Sequence, residues 1–465
     1  MALIHNNLLI NKHSQRYTPF LLNLVSGRRK LLSNAEFKTV CSMIEKQNMA
    51  QYSEDDISLY KRLTMEKQFI DDNYRAEIEE KMLETKLFQM NNRPTDDFIF
   101  TVHLTWGCNM SCVYCYANSY VGEDKTVTTE QIDSIYKFFG NYAGDVDVKK
   151  NTSAICVTGG EPLLNHKSVR MLKYLASKWP EAKLTMITNG INLLKYYDEL
   201  PIQNFGEVHV SLDGLKEPHL KRRFGGGSVP KEGVYDNIVQ GIKRLLGDEI
   251  AVVIKTCIDK HNYTEFPAFF TYLEKEKIIT SPFCTHQVAH VQDYSNPLSI
   301  DESFNNVDEI RKIREHVYPH LEQSPPLLGL NPLYRVMGRD NNEPYIPKHI
   351  RCKSNPLSNY VFAPDGNIYF CICLSDESGI IGTYHPKISL NESVISGLAN
   401  RSVFANEECK KCPYKFVCLG DCPKSAEGQW SDMSRMSCGP FKYPEIMDNI
   451  EFDYRALANR AIPVS

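Results

Sequence analysis

Between about residue 96 and residue 290, short apolar runs alternate with longer stretches of helical period. That alternation limits the fold more than any other feature of the chain. The runs 98–105, 154–158, 184–188, 208–212, 251–258 and 283–288 have the length and composition of buried strands. Helical patterns separate them: one opened by Thr128 and running through Ile135, Phe138 and Phe139, then 167–177, 193–200, 235–246 and 266–276. Strands alternating with helices predict a mostly parallel sheet with helices outside. In that architecture the chemistry belongs on the loops after the C-terminal ends of the strands.

The chain has 465 residues, enough for about three domains at ~150 residues each. Its net charge is -4 and no broad basic surface is evident, so a nucleic-acid partner is not expected. The first residues carry no basic segment followed by an apolar run, and no apolar stretch reaches the ~20 residues that span a membrane. A cytoplasmic protein without a membrane partner is the expectation. In that reducing compartment the 15 cysteines read as metal chemistry rather than a disulfide scaffold.

Cys108, Cys112 and Cys115 follow the first strand run in Thr105-Trp106-Gly107-Cys108-Asn109-Met110-Ser111-Cys112-Val113-Tyr114-Cys115. The loop is short enough to fold three thiolates around one object. Soft thiolates suit a [4Fe-4S] cluster, with one iron left without a protein ligand. A structural zinc site normally needs four protein ligands.

The Cys-x3-Cys-x2-Cys pattern with Tyr114 before its last cysteine resembles the signature of the radical S-adenosylmethionine (SAM) enzymes. The resemblance implies that the open iron chelates SAM, whose reductive cleavage yields a 5'-deoxyadenosyl radical that abstracts a substrate hydrogen. It implies a partial (β/α)6 barrel. It also implies SAM contacts from Tyr114 near the adenine, from Gly159, Gly160 and Glu161 after the second strand, and from Ser211 and Asp213 after the fourth. Arg222 or Arg223 is expected to face the SAM carboxylate, against the plain reading of Lys221-Arg222-Arg223 as a solvated basic cluster. The glycines allow backbone to approach a ligand closely. Cys41, Cys156 and Cys257 read as core residues.

A second cysteine system follows. Cys352 precedes an Asp365-Gly366 hairpin signal with strands near 360–362 and 367–370, and the hairpin returns the chain to Cys371. Cys409, Cys412, Cys418, Cys422 and Cys438 come next. This pattern resembles the SPASM domain, an extension of radical SAM enzymes that holds auxiliary iron-sulfur clusters. The resemblance implies one [4Fe-4S] cluster on Cys409, Cys412, Cys418 and Cys438, and a second on Cys352, Cys371 and Cys422. Fully ligated relatives have a further cysteine just before Cys352, and this chain has none there. The inner cluster therefore has an open iron or is completed by Cys284 or Cys373. Zinc remains an alternative for four-thiolate sets.

The expected organisation is α/β: a mostly helical or winged-helix-like extension over 1–95, the partial barrel over 96–290, a connector over 291–350, and the cysteine-rich auxiliary-cluster domain over 351–465. Ser33-Asn34-Ala35-Glu36 has the form of a capping box. Short strands are expected near 8–10 and 20–24, and a charged helix-favouring stretch runs over 55–90. The extension reads either as a precursor-recognition domain using strand addition or as a packing element. Sulfatase-maturing relatives carry an acidic residue after the cysteine matching Cys371, where this chain has Ile372. The resemblance thus favours a radical SAM enzyme that crosslinks a ribosomally made precursor peptide and takes electrons from a flavodoxin- or ferredoxin-like donor. Formylglycine formation, epimerisation and decarboxylation are the alternatives. Asp293, Tyr294 and His286, near the end of the barrel, read as satisfied surface residues, with facing substrate as the alternative.

Overall fold

The computed structural model describes residues 2–4, 7–10, 20–23, 29–46, 49–66, 68–69, 80–81, 98–115, 117, 125–143, 152–224, 232–291, 316–317, 320, 360–373, 376–412, 415, 420 and 422–437. The chain opens with β1 (Ala2–Ile4), β2 (Asn7–Ile10), β3 (Phe20–Asn23) and β4 (Arg29–Leu31), paired antiparallel in that order. Ser33 then caps α1 (Asn34–Lys46). The Glu36 N–H donates to Ser33 Oγ at 3.2 Å and the Ser33 N–H to Glu36 Oε2 at 2.8 Å, so two orphan amides are satisfied reciprocally. Ser53 and Asp56 do the same for α2 (Glu54–Met65). Leu21, Val40, Met43, Leu59, Leu63 and Phe69 close a small core between sheet and helices, with Cys41 packed at its edge. Of the helix-favouring stretch, the part up to Met65 is helical; 70–79 and 82–97 lie outside the described residues.

The alternating elements follow: β5 (Phe98–Thr105), α3 (Thr129–Ala143), β6 (Thr152–Gly159), α4 (His166–Lys178), β7 (Lys183–Thr188), α5 (Leu193–Tyr196), β8 (Phe205–Ser211), α6 (Lys216–Arg223), α7 (Val234–Gly247), β9 (Val252–Ile258), α8 (Phe266–Lys275) and β10 (Cys284–His290). Strands β5 to β10 pair parallel in chain order, the arrangement of a partial barrel. Burial alternates along β7, β8 and β9. Leu184, Met186, Val208, Val210, Val252 and Ile254 are buried in the core shared with the helices, so the side chains between them line the inner face. Cys156 and Cys257 lie on that inner face, half-buried, rather than in the core as their strand positions suggested. Cys284 opens β10, which puts it at the end of the barrel away from the site loops.

The C-terminal strands are β11 (Tyr360–Phe362), β12 (Asn367–Tyr369), β13 (Ile380–Thr383) and β14 (Ser389–Leu390), with α9 (Glu392–Asn400), α10 (Glu407–Lys411) and α11 (Pro423–Trp430) after them. The expected hairpin is present, with Gly366 at φ +88° where a side chain would be strained. β11 does not stand apart. It pairs parallel with β5, Tyr360 opposite Phe100, and so continues the barrel sheet to ten strands.

An aromatic seam secures that junction. Phe362 packs on Phe100, Phe138 and Phe139 at ring-centroid distances of 5.6, 5.4 and 5.7 Å. Gln131, whose side chain accepts from the N-cap Thr128 amide, donates to the Pro364 carbonyl at 2.9 Å. Of the connector expected over 291–350 only 291, 316–317 and 320 are described, and Cys352, Cys418, Cys438, Asp293 and Tyr294 fall outside the described residues. Among the described residues no helix is long and apolar enough to cross a membrane.

Candidate active site

The cysteine loop leaves the C-terminal end of β5 and is tied to three neighbouring segments, two through its backbone and one through a side chain. The Ser111 and Val113 amides donate to the carbonyls of Arg223 and Arg222, both at 3.1 Å, at the C-terminal end of α6. Those are carbonyls that a helix end leaves without intrahelical partners. The Gly160 amide donates to the Thr105 carbonyl at 2.7 Å and the Glu161 amide to the Gly107 carbonyl at 2.9 Å. A Cβ at Gly159 would overlap the Thr105 carbonyl oxygen, and one at Gly160 the Gly107 carbonyl oxygen. The two glycines therefore serve a backbone-to-backbone approach between the second loop and the start of the first. From the third loop, Asn189 Nδ2 donates to Asn109 Oδ1 at 2.8 Å.

Glu161 is buried at 1% exposure and accepts three hydrogen bonds: from Thr188 Oγ1 at 2.6 Å, the Asn189 amide at 2.7 Å and the Leu163 amide at 2.9 Å. Burial raises its pKa above the ordinary carboxylate value and these donors oppose the rise. A carboxylate has capacity for about four donors, so room for one more remains. Thr188 and Asn189, in an ordinary-looking Asn-Gly turn, thus join the second and third loops.

Asp213 is the centre of a second network. Arg223 binds it with both prongs, Nε to Oδ2 at 3.0 Å and Nη2 to Oδ1 at 3.3 Å, and the Cys257 amide adds a third donor at 3.0 Å. The Tyr114 hydroxyl donates to Oδ2. Arg222 pairs with Asp259 at 2.6 Å, and its guanidinium carbon stands 4.9 Å from the Tyr114 ring centroid. Both arginines are only 6% exposed, which rules out the solvated-cluster reading for them; Lys221 alone of that run is exposed. Burial alone would raise the Asp213 pKa, but Arg223 and the neighbouring donors outweigh it and hold the carboxyl below its usual range. Tyr114 is driven well above its ordinary value by burial.

Burial pushes the Cys108 thiol up to about 12, with Glu161 adding to the rise. Cys112 is also raised by burial, and Arg223 pulls the other way; its Nη1 lies 3.8 Å from Cys112 Sγ. Bare thiolates are disfavoured here, whereas a soft metal centre that displaces the thiol protons would neutralise them. Among the described residues no three His, Cys, Asp or Glu side chains converge on one point that would hold a single metal ion. The three thiols around one loop, flanked by a guanidinium, fit a cluster in which each iron takes its own thiolate.

A matched family model covers residues 102–273 and describes the Radical SAM superfamily. Those residues are a radical SAM domain. Enzymes of that superfamily use SAM and a [4Fe-4S] cluster. It is 30% identical over 161 residues to a GTP 3',8-cyclase of Clostridium perfringens (strain SM101 / Type A), covering 34% of this chain and 45% of that protein. It is 27% identical over 230 residues to an Fe-coproporphyrin III synthase of Methanosarcina barkeri (strain Fusaro / DSM 804), covering 47% and 52%. The similarity thus spans about half the length of these curated relatives.

The fold is similar to that of Streptococcus suis SuiB bound to its precursor peptide SuiA, with a TM-score of 0.54 and 14% identity, over 94% of this chain and 98% of that one. It is also similar to anSMEcpe bound to AdoMet and the Cp18Cys peptide, with a TM-score of 0.54 and 16% identity, over 78% and 98%. At these identities the likeness is one of fold.

For SAM, the buried polar atoms around Tyr114 offer a fit. His219 Nε2 and Arg222 Nε are buried without a hydrogen-bond partner among the described residues. Ser211 ends β8 half-buried on the inner face. Of the second system, Cys371 and Cys373 follow β12, and the Cys373 amide donates to Cys371 Sγ at 3.4 Å. Cys409 and Cys412 bracket the end of α10, and Cys422 caps α11, whose Lys424 ammonium donates to the Cys373 carbonyl. That contact joins the hairpin cysteines to the Cys422 segment. Asn109, Asp259 and Lys424 had no signal of their own in the sequence, and the turn at Thr188 and Asn189 offered only its resemblance to the family's segment after the third strand, with no role for either residue.

Proposed function

We propose that this chain is a peptide maturase that forms an intramolecular thioether, carbon–carbon or ether crosslink in a ribosomally made precursor peptide. The observation that carries the reading is the continuous sheet: β11 on β5 brings the hairpin bearing Cys371 and Cys373 to the barrel edge next to the strand whose loop bears Cys108, Cys112 and Cys115. The fold likeness to SuiB with its precursor peptide over 94% of the chain supports a peptide substrate.

In this reading Cys108, Cys112 and Cys115 hold the first cluster. Tyr114, Gly159, Gly160, Glu161, Ser211, Asp213, Arg222 and Arg223 form the SAM site or support it. Cys409, Cys412, Cys418 and Cys438 hold one auxiliary cluster and Cys352, Cys371 and Cys422 the other, with Cys373 beside it. SAM and the clusters supply hydrogen-atom abstraction and one-electron transfer. The protein supplies orientation and exclusion of side reactions. Arg223 and Tyr114 lock Asp213, and Asp213 with α6 locks the cysteine loop. Holding two peptide side chains together in the barrel contributes proximity worth up to about 7–11 kcal/mol. Residues 1–95 recognise the precursor, 96–290 carry the chemistry, 291–350 connect, and 351–465 hold the auxiliary clusters. A flavodoxin- or ferredoxin-like protein is the electron donor, in the cytoplasm.

The test is anaerobic incubation of the reconstituted enzyme with SAM, reductant and a short peptide encoded beside its gene. Loss of two hydrogens per event with linked fragments in tandem mass spectrometry supports the reading. Solvent deuterium gained without that loss identifies an epimerase, and loss of carbon dioxide a decarboxylase. A serine or cysteine converted to formylglycine identifies a sulfatase-type maturase. Deoxyadenosine formed with an unchanged peptide overturns the substrate assignment.

A further inference from the structure

The inside of a parallel barrel is ordinarily packed with branched apolar side chains. Here a row of inward positions is polar across neighbouring strands. Thr101 on β5 lies opposite Cys156 on β6, Cys156 opposite Thr185 on β7, and Thr185 opposite Glu207 on β8. His209 follows two residues along β8 on the same face, between Val208 and Val210, which are buried on the other. Lys255 of β9 is level with Ser211. The pattern leaves the barrel half-open to polar ligands where a purely structural barrel would be dry.

His209 and Glu207 form a dyad within that row. His209 Nε2 lies 2.7 Å from Glu207 Oε1. A carboxylate only accepts, so Nε2 carries the proton and Nδ1 presents a lone pair. Nδ1 is buried without a hydrogen-bond partner among the described residues. The His209 side chain is 13% exposed and that of Glu207 41%. Leaving a buried acceptor unmatched costs about 1–3 kcal/mol, and such a cost is tolerated where the atom has a partner during turnover. A base held in one tautomer by a third group is the geometry of general-base catalysis.

We propose that His209 Nδ1, oriented by Glu207, accepts the proton that the peptide releases as its new bond forms. This rests on the crosslinking reading. The peptide then loses two hydrogens: one as a hydrogen atom, to the nucleoside radical that SAM cleavage supplies, and one as a proton from an S–H, N–H, O–H or ring C–H to Nδ1. The remaining electron passes to an iron-sulfur cluster, and the new bond joins the two peptide atoms.

Around the imidazole, Glu207 on its own strand favours the protonated form and Lys255 on β9 disfavours it. Thr185 on β7 is uncharged, and the Cys156 thiol on β6 is pushed up to about 11, chiefly by burial, so it carries no charge near neutral pH. Burial foremost, then Lys255, holds His209 below its ordinary value, so the imidazole is neutral and able to take a proton.

The test uses the full-length reconstituted enzyme and the peptide encoded beside its gene. In His209→Gln, which keeps a donor for Glu207 but offers no base, deoxyadenosine formation continues while crosslinked peptide per deoxyadenosine falls about 100-fold or more. In Glu207→Gln the acid limb of the pH–rate profile moves to lower pH, because the carboxylate that favours imidazolium is gone. Nitrogen-15 NMR of histidine-labelled protein, without SAM or clusters, is expected to show His209 protonated at Nε2 in the wild type and a tautomer mixture in Glu207→Gln. An unchanged product ratio in His209→Gln, or an Nδ1–H tautomer in the wild type, overturns the assignment of His209. Absence of the two-hydrogen loss in the wild type overturns the crosslinking reading instead, and the base role with it.

Discussion

The backbone of the loop bearing Cys108, Cys112 and Cys115 is hydrogen-bonded to the end of α6 and to the loop after β6, and its Asn109 side chain to the loop after β7. Cys409 and Cys412, by contrast, sit on a five-residue helix whose start is capped by one asparagine, with Asn406 Oδ1 accepting from the Cys409 amide at 3.0 Å. A helix that short is marginal by itself. The first site is built on sheet ends and held by the protein's own hydrogen bonds. The second is held by caps and by long side chains reaching backbone carbonyls: Lys415 donates to Lys410 at 3.0 Å, Lys424 to Cys373, and Arg401 to Gly420 and, at 2.8 Å, to Arg435. A thiolate–metal centre supplies folding energy where the chain supplies little. The comparison teaches that the two cysteine sets differ in how far the surrounding sheet ends hold their local shape.

Removing iron tests that difference most severely. Chelated protein is expected to lose all SAM cleavage. Hydrogen exchange should show the Ser111 and Val113 amides still protected, while those of Cys409 to Lys411 exchange at near-unfolded rates. Equal loss of protection at both sites would break the comparison.

Arg223→Gln is expected to destabilise the barrel by about 3–5 kcal/mol, because it removes the ion-pair partner of the buried Asp213 and leaves it only the Tyr114 and Cys257 donors. Arg401→Gln, which removes donors to two carbonyls, is expected to cost about 1–3 kcal/mol and to lower iron content more than melting temperature. Urea melts and iron analysis of the two variants separate these outcomes.

Acid sharpens the contrast further. Burial holds His103 and His286 at about 4 and, with Arg223, His219 at about 3. All three lie in the barrel. Their folded values lie below the unfolded value, so the unfolded chain binds protons first, and stability falls as pH drops from ~6.5 toward ~4. Each histidine contributes a slope of up to about 1.4 kcal/mol per pH unit. Asp213, whose pKa is depressed, stabilises above its unfolded value and loses that contribution only as pH falls further. Urea melts at pH 7.5 and 5.5 should show the loss in barrel probes; a pH-independent midpoint would contradict it. The smallest effect belongs to the seam between the two regions. Thr128→Ala removes the cap of the helix carrying Gln131 and Phe138 and is expected to cost about 1 kcal/mol in thermal unfolding.

Several features were legible beforehand because they are local. The six barrel strands, the Ser33 box, the Thr128 start and the Asp365-Gly366 turn each depend on neighbours in the chain, through period, capping or turn chemistry. The helix over Lys216–Arg223 was not, since its charged residues look like a solvated run until Asp213 and Asp259 are placed beside Arg223 and Arg222. Glu207 and His209 alternate with Val208 and Val210, a period-two signal available in the sequence, but which face turns inward depends on where the helices pack.

The sequence by itself determined the parallel alternating order, because the apolar and helical periods are local, and it grouped Cys108, Cys112 and Cys115 on one short loop. The tertiary structure alone decided that β11 joins β5, that Gly159 and Gly160 meet the first loop, that Arg222 and Arg223 are buried in ion pairs, and that Nδ1 of His209 has no hydrogen-bond partner among the described residues. Each of these depends on groups tens to hundreds of residues apart, whose approach is set by sheet register and close packing rather than by local preference.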